Sequence, residues 1–163
     1  MPAVWTAPRT WASAEVLTAT LFNQHLRDNL DWLKTPASAS ATLTSNISTT
    51  STSFVDATGL SVTFTTRGGN VLALAMLTVQ ASAAETAYFR LNLDGTSTPF
   101  LCQQRLASAS DLQSVALMWL FSSVSAASHT IKVQYASAAG ATVALNGSGT
   151  ANMELICSEV GWS

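Results

Sequence analysis

The chain has 163 residues, 48% of them hydrophobic, 10% charged, with a formal net charge of −2. That length suits one cored domain, and the apolar content excludes a disordered chain. The scarce basic residues do not cluster along a stripe that could follow a phosphate backbone, so nucleic acid is not an expected partner.

In chain order, residues 1–17 read as an extended arm, with Pro2 and Pro8 removing backbone donors. Its start, "MPAVWTAPRTW", has neither the basic head nor the apolar run of an export signal. The expectation is synthesis in a bacterial cytoplasm. Thr18 is placed to cap a helix through "TATLFNQHLRDNLDWLK" to Lys34, and Pro36 stops it. Phe22, Leu26, Leu30 and Leu33 recur at helical spacing and form one apolar face. An isolated helix of about 25 Å is marginal in water, so that face needs a partner. A seam of Phe22, Leu26, Asn29 and Leu33 is the alternative pattern, too short for a coiled coil.

Residues 37–53, rich in Ser and Thr, read as a linker with one strand near 42–47. The remainder, 54–163, is a series of short apolar or alternating runs parted by polar turns. "LSVTFTT" alternates, "RGGN" reads as a hairpin turn before "VLALAMLTV", and Asp94-Gly95 and Asn146-Gly147 mark tight turns. "SVALMWLFSSV" suits a helix or a buried strand, and its Ser-rich flanks favour the strand. The expected fold is mainly β: an antiparallel, jelly-roll-like β-sandwich preceded by the extended N-terminal arm and one α-helix. No apolar run reaches the length of a membrane span.

Reactive groups are sparse. His25 lies on the helix and His129 opens a strand; neither has a second His or Cys at metal-ligand spacing, so no metal and no cofactor is expected. Asp56, Glu85, Asp94, Asp111, Glu154 and Glu159 are the acids of the β-region. Glu154 and Glu159, five apart in one strand, point to opposite faces and are no catalytic pair. Cys102 and Cys157 sit in apolar strand-like runs and read as free thiols, with a disulfide left open. The expectation is a protein without catalytic residues.

The front end carries more. Trp5, Ala7, Pro8, Arg9 and Trp11, with Asn23, His25, Arg27, Asp28 and Asn29 after them, resemble the N-terminal segment of a class of tailed-bacteriophage and prophage structural proteins. Those have a Trp-x-Ala-Pro-Arg-x-Trp arm, an Asn-x-His-x-Arg-Asp-Asn helix and a variable β-rich domain. The resemblance covers the first 36 residues; "STSFVDATGLSVTFTTRGGNVLALAMLTV" is similar to the start of a phage fibre β-domain only in style. One departure is Ala12-Ser13-Ala14, where that class carries a Val-Ala-Gly-like turn. The resemblance implies a virion protein of fibre or receptor-binding type, attached to other virion proteins through its N-terminal segment. Trp5, Pro8, Arg9, Trp11, His25, Arg27, Asp28 and Asn29 would be the docking residues. It also implies a homotrimer displaying its sandwich toward a host surface glycan or protein. Capsid decoration, or a head fibre that stabilises the shell, is the alternative.

Overall fold

In a computed structural model, residues 6–7, 9–99, 102–109, 111–145 and 152–161 are described. Contacts divide the chain into two units, 1–36 and 37–163.

The first unit is built on a helix that changes pitch. Thr18 caps it, its side chain accepting from the Leu21 N–H at 3.3 Å. A short α-helix, α1 (Ala19–Phe22), runs into a π-helical turn over Asn23–Arg27 and then into α2 (Asp28–Lys34). The Asp28 N–H reaches back five residues to the Asn23 carbonyl. An uninterrupted α-helix, at about 100° per residue, would set Asn29 in the middle of the Phe22–Leu26–Leu33 stripe. The wider turn absorbs one extra residue and rotates the rest of the helix by about 100°. Asn29 therefore leaves the stripe and Leu30 takes its place. The uniform α-helix expected from the periodicity is corrected in this respect.

Among the described residues the second unit holds eleven strands, β1 (Ser38–Leu43), β2 (Ile47–Thr49), β3 (Val55–Thr65), β4 (Gly69–Ala81), β5 (Glu85–Leu93), β6 (Thr96–Ser97), β7 (Cys102–Leu106), β8 (Leu112–Val124), β9 (Ser128–Ser137), β10 (Val143–Leu145) and β11 (Met153–Gly161). They form two antiparallel sheets. One has six strands, with the path β1-β11-β4-β10-β2 and β8 on the far side of β4; the other has five, β3-β9-β5-β6 with β7 also on β5. With the short β2, β6 and β10 set aside, the eight long strands order as first-eighth-third-sixth and second-seventh-fourth-fifth. That is the jelly-roll winding, in which successive strands alternate between two packed sheets except for the fourth and fifth, which pair with each other.

Two expectations are revised. The segment 37–53 is not a linker with a strand near 42–47: β1 pairs β11 from Ser38↔Ser158 to Leu43↔Met153, and β2 pairs β10. Small Ser, Thr and Ala residues fit an edge strand whose alternate side chains meet water. "RGGN" is not a hairpin turn either, because β3 and β4 lie in different sheets. Gly68 and Gly69, at φ +94° and +125°, carry the chain across the sandwich edge through an arch. Asp94-Gly95 does close a hairpin, between β5 and β6, with both residues at positive φ (49° and 89°), the signature of a type I′ turn. Asn146-Gly147 lies outside the described residues.

The core forms between the sheets from one face of each strand. On β4 it takes Val71, Ala73, Ala75, Leu77 and Val79, on β5 Ala87, Phe89 and Leu91, and on β9 Ile131, Val133 and Tyr135. Cys157 is fully buried in it on β11, and both cysteines are free thiols. Burial pushes the Cys157 thiol up to about 12, so it acts as a small hydrophobe.

Candidate functional site

In the N-terminal unit the arm is held by the helix. The Asn29 side-chain amide donates to the Thr6 carbonyl at 2.9 Å, and its oxygen accepts from the Thr6 N–H, also at 2.9 Å. This is a two-bond pairing of the kind one strand residue offers another. The same amide reaches the His25 carbonyl at 3.3 Å, and Asn29 is buried at 7% exposure. Farther along, the Arg9 guanidinium stacks over the Trp11 ring, 4.7 Å from its centroid, and forms an ion pair with Glu15. Trp11 meets the His25 ring edge-on at 5.7 Å and 80°. Glu15 also accepts from the Ala12 N–H at 3.2 Å.

Of the residues expected to dock, Arg9, Trp11, His25 and Asn29 thus converge on one another. Arg27 and Asp28 form an exposed ion pair at 2.7 Å, a contact worth a few tenths of a kcal/mol up to about 1. Trp5 and Pro8 lie outside the described residues. The expected apolar face stays bare: Phe22 is 51% exposed, Leu26 46%, Leu30 56% and Leu33 45%. Arm and helix enclose an open hollow of about 400 Å³ between Trp11, Leu17, Phe22 and Leu26.

The departure at Ala12-Ser13-Ala14 leaves a trace. Ala14 adopts φ +65°, the left-handed region that glycine occupies freely and that costs other residues about 1–2 kcal/mol. Ala14→Gly should therefore stabilise the closed arm by about 1 kcal/mol, read as slower tryptic cleavage after Arg9; unchanged or faster cleavage contradicts this.

The β-unit brings together two groups that sequence spacing does not connect. Asp94, in the β5–β6 turn, accepts at one oxygen from the Thr130 N–H (2.7 Å) and at the other from His129 Nδ1 (2.6 Å). The other ring nitrogen, Nε2, lies 2.9 Å from the Ser125 carbonyl and 3.3 Å from the Ser125 hydroxyl. Asp, His and Ser meet here, yet Nε2–H is directed at a carbonyl acceptor rather than a lone pair at the hydroxyl, the reverse of what activating a serine requires. An acceptor at each nitrogen favours the protonated, imidazolium form of His129. The Asp94 bond holds the His129 pKa above its ordinary 6.5 against the effect of burial, and the Thr130 N–H, then His129, hold Asp94 below 3.8.

These bonds give the pH dependence its sign. A histidine with a raised folded pKa stabilises fully below 6.5 and loses that contribution as pH rises through the folded value. As pH rises above about 6.5, melting temperature should fall more steeply in the wild type than in His129→Asn. Equal slopes would contradict the assignment.

Glu85, Glu159 and Asp111 are also occupied. Glu85, 7% exposed, accepts from the Ser137 hydroxyl (2.7 Å) and from the Thr86, Ala139 and Ala141 N–H groups at 2.7, 3.2 and 3.0 Å. Burial raises its pKa, but these bonds outweigh burial and hold it below 4.5. Glu159, 3% exposed, accepts from the backbone N–H groups of Ala37 and Arg67, tying β1 to the β3–β4 arch. Asp111 closes its own turn by accepting from the Ala107 N–H. Glu154 faces outward and Glu159 inward on β11, as their spacing implies.

The two outer sheet faces differ in chemistry. On the five-stranded sheet, Asp56 binds Lys132 at 2.8 Å and Gln134 at 2.7 Å, Gln134 accepts from Arg90 at 2.8 Å, and Arg90 lies over the Phe54 ring at 4.0 Å. The Lys132 and Gln134 bonds hold Asp56 below its usual range. Sequence reasoning missed this platform because its members come from three strands and a loop. The six-stranded sheet turns Leu74, Met76, Leu112, Met118, Leu120, Ile156 and Val160 outward.

No family model and no curated protein matches this chain. Solved structures with a similar fold include the Eiger TNF of S. frugiperda, at 9% identity over 79% of this chain and 96% of that one, TM-score 0.44. A carbohydrate-binding module of Cellvibrio mixtus lichenase 5A in complex with cellotriose aligns at 12% identity over 68% of this chain and 73% of that one, TM-score 0.34. A chain of infectious bursal disease virus, Gx strain, aligns at 16% identity over 74% of this chain and 30% of that one, TM-score 0.31.

Proposed function

We propose that this chain is a non-enzymatic surface component of a tailed-phage virion, attached by its N-terminal unit and displaying its jelly roll. The observation that carries the reading is the bare stripe of Phe22, Leu26, Leu30 and Leu33. Around it, Asn29, Arg9, Trp11 and His25 fix the arm in place. A short helix rigidified by its own arm, with an apolar face left open, is a preorganised plug for a groove on another virion protein. The resemblance of the same segment to phage structural proteins supports the same partner class.

Within that class, a fibre or receptor-binding protein is the leading reading. The platform of Phe54, Asp56, Arg90, Lys132 and Gln134 offers planar hydrogen-bonding groups beside an aromatic ring, which suits a host surface glycan or protein. Capsid decoration is the second reading, supported by Tyr88, Trp119 and Tyr135 lying in strands rather than loops. Gold-labelled antibody against the sandwich, imaged on intact virions, tests both. Label at the tail tip supports adhesion, label over the head supports decoration, and virions without label refute the virion assignment.

A further inference from the structure

A sheet that faces water on one side alternates apolar-in with polar-out. The five-stranded sheet obeys this, with Asp56, Arg90, Lys132 and Gln134 outward. The six-stranded sheet does not. Register places Leu72 beside Leu120, Leu74 beside Met118 and Met76 beside Ala116. Ile156 and Ser158 extend the first two rows from β11, opposite Leu74 and Leu72. Met118 is 67% exposed, Met76 50% and Leu120 46%. Among the described residues at the outward positions of β1, β4, β8 and β11, the single charged one is Glu154, which pairs with Met76.

We infer that this face is where copies of the chain pack on one another. It deepens the proposed role and rests on that reading of the chain as a displayed virion component. Three features select a second copy as the occupant. First, size: with strands about 4.8 Å apart and about 3.4 Å per residue, the four strands spread over roughly 670 Å², close to the ~800 Å² that one partner contributes to a standard interface. Second, composition: outward Leu and Met with a single acid, Glu154 beside Met76, match an interface centre, where Met is enriched and Lys, Glu and Asp are depleted, and offer little to a charged partner. Third, relief: Met76 stands beside the small Ala116, Leu72 beside Ser158 and Thr78 beside Ser114, so the face carries both knobs and hollows and can complement itself around a symmetry axis.

Sedimentation velocity on the purified full chain tests this. The wild type should sediment as a closed oligomer at micromolar concentration. Leu74→Glu with Met118→Glu should be a monomer with an unchanged far-ultraviolet spectrum. Met118→Lys alone, at the most exposed of these positions, gives the same reading if the double variant fails to fold. A control with Leu26→Glu and Leu30→Glu should keep the oligomer. A monomeric wild type, an oligomer that survives the sheet substitutions, or dissociation by the helix substitutions would each overturn the inference. An oligomer found in solution with no trace of the protein on virions would sink the virion role and leave this interface standing; a monomer that labels virions would do the opposite.

Discussion

Replacing Glu85 with alanine should lower the melting temperature by roughly 6–12 °C, from a loss of about 3 kcal/mol at about 2–4 °C per kcal/mol. The carboxylate sits at the start of β5 and binds the segment through which the chain leaves β9 for β10, crossing from one sheet to the other. Its removal leaves the Ser137 hydroxyl and the N–H groups of Thr86, Ala139 and Ala141 without their acceptor. Buried donors that lose a charged partner account for losses of this size. Because bonding holds the Glu85 pKa below 4.5, its contribution is present above that pH and lost as pH falls through the folded value. The wild type should therefore lose stability in acid more steeply than Glu85→Ala. A melting temperature within about 2 °C of wild type at neutral pH would refute the clamp.

Asn29→Leu should open the arm. The side chain keeps a similar volume but cannot pair with the Thr6 N–H and carbonyl. Two bonds at a net ~1 kcal/mol each correspond to a roughly 30-fold larger open population. When cleavage is slow against reclosing, proteolysis tracks that population, so tryptic cleavage after Arg9 should accelerate by about the same factor. The melting of the jelly roll, a separate unit, should not change. Cleavage at the wild-type rate would mean that Asn29 does not hold the arm.

The individual elements are legible in the sequence for local reasons. Alternation in "LSVTFTT" gives a strand with two unlike faces, Thr18 is a competent cap, and Asp94-Gly95 tolerates the two positive φ angles of a tight turn. The features that are not legible depend on contacts made far along the chain. Gly68-Gly69 announces a change of direction, but whether the next strand pairs with the last or crosses to another sheet is decided by β11 and β9, some ninety and sixty residues later. The strand over Ser38–Leu43 has almost no apolar contrast and forms because β11 offers it an edge. The Asp94–His129 pair is 35 residues apart in sequence and the Glu85–Ser137 pair 52; no spacing rule connects them. In the N-terminal unit, the motif residues are identifiable but their role is not. Asn29 turns inward to the arm, because the π-helical turn alters which residues share a face.

"SVALMWLFSSV" departs from expectation in the opposite sense. It reads as a buried strand, and the structure leaves one of its faces, Ala116, Met118 and Leu120, in water. The sequence registers a need for burial that a single copy of the chain does not meet.

Whether the helix stripe attaches the chain to a particle can be decided by complementing virions that lack this protein with either the wild type or Leu26→Glu with Leu30→Glu. The quantity to measure is the amount of the protein on purified particles, by quantitative immunoblot. Both leucines are largely solvent-exposed, so the variant should fold and accumulate in the cell as the wild type does. Attachment through the stripe requires a variant that is soluble and folded but missing from particles. Incorporation at the wild-type level would rule that attachment out.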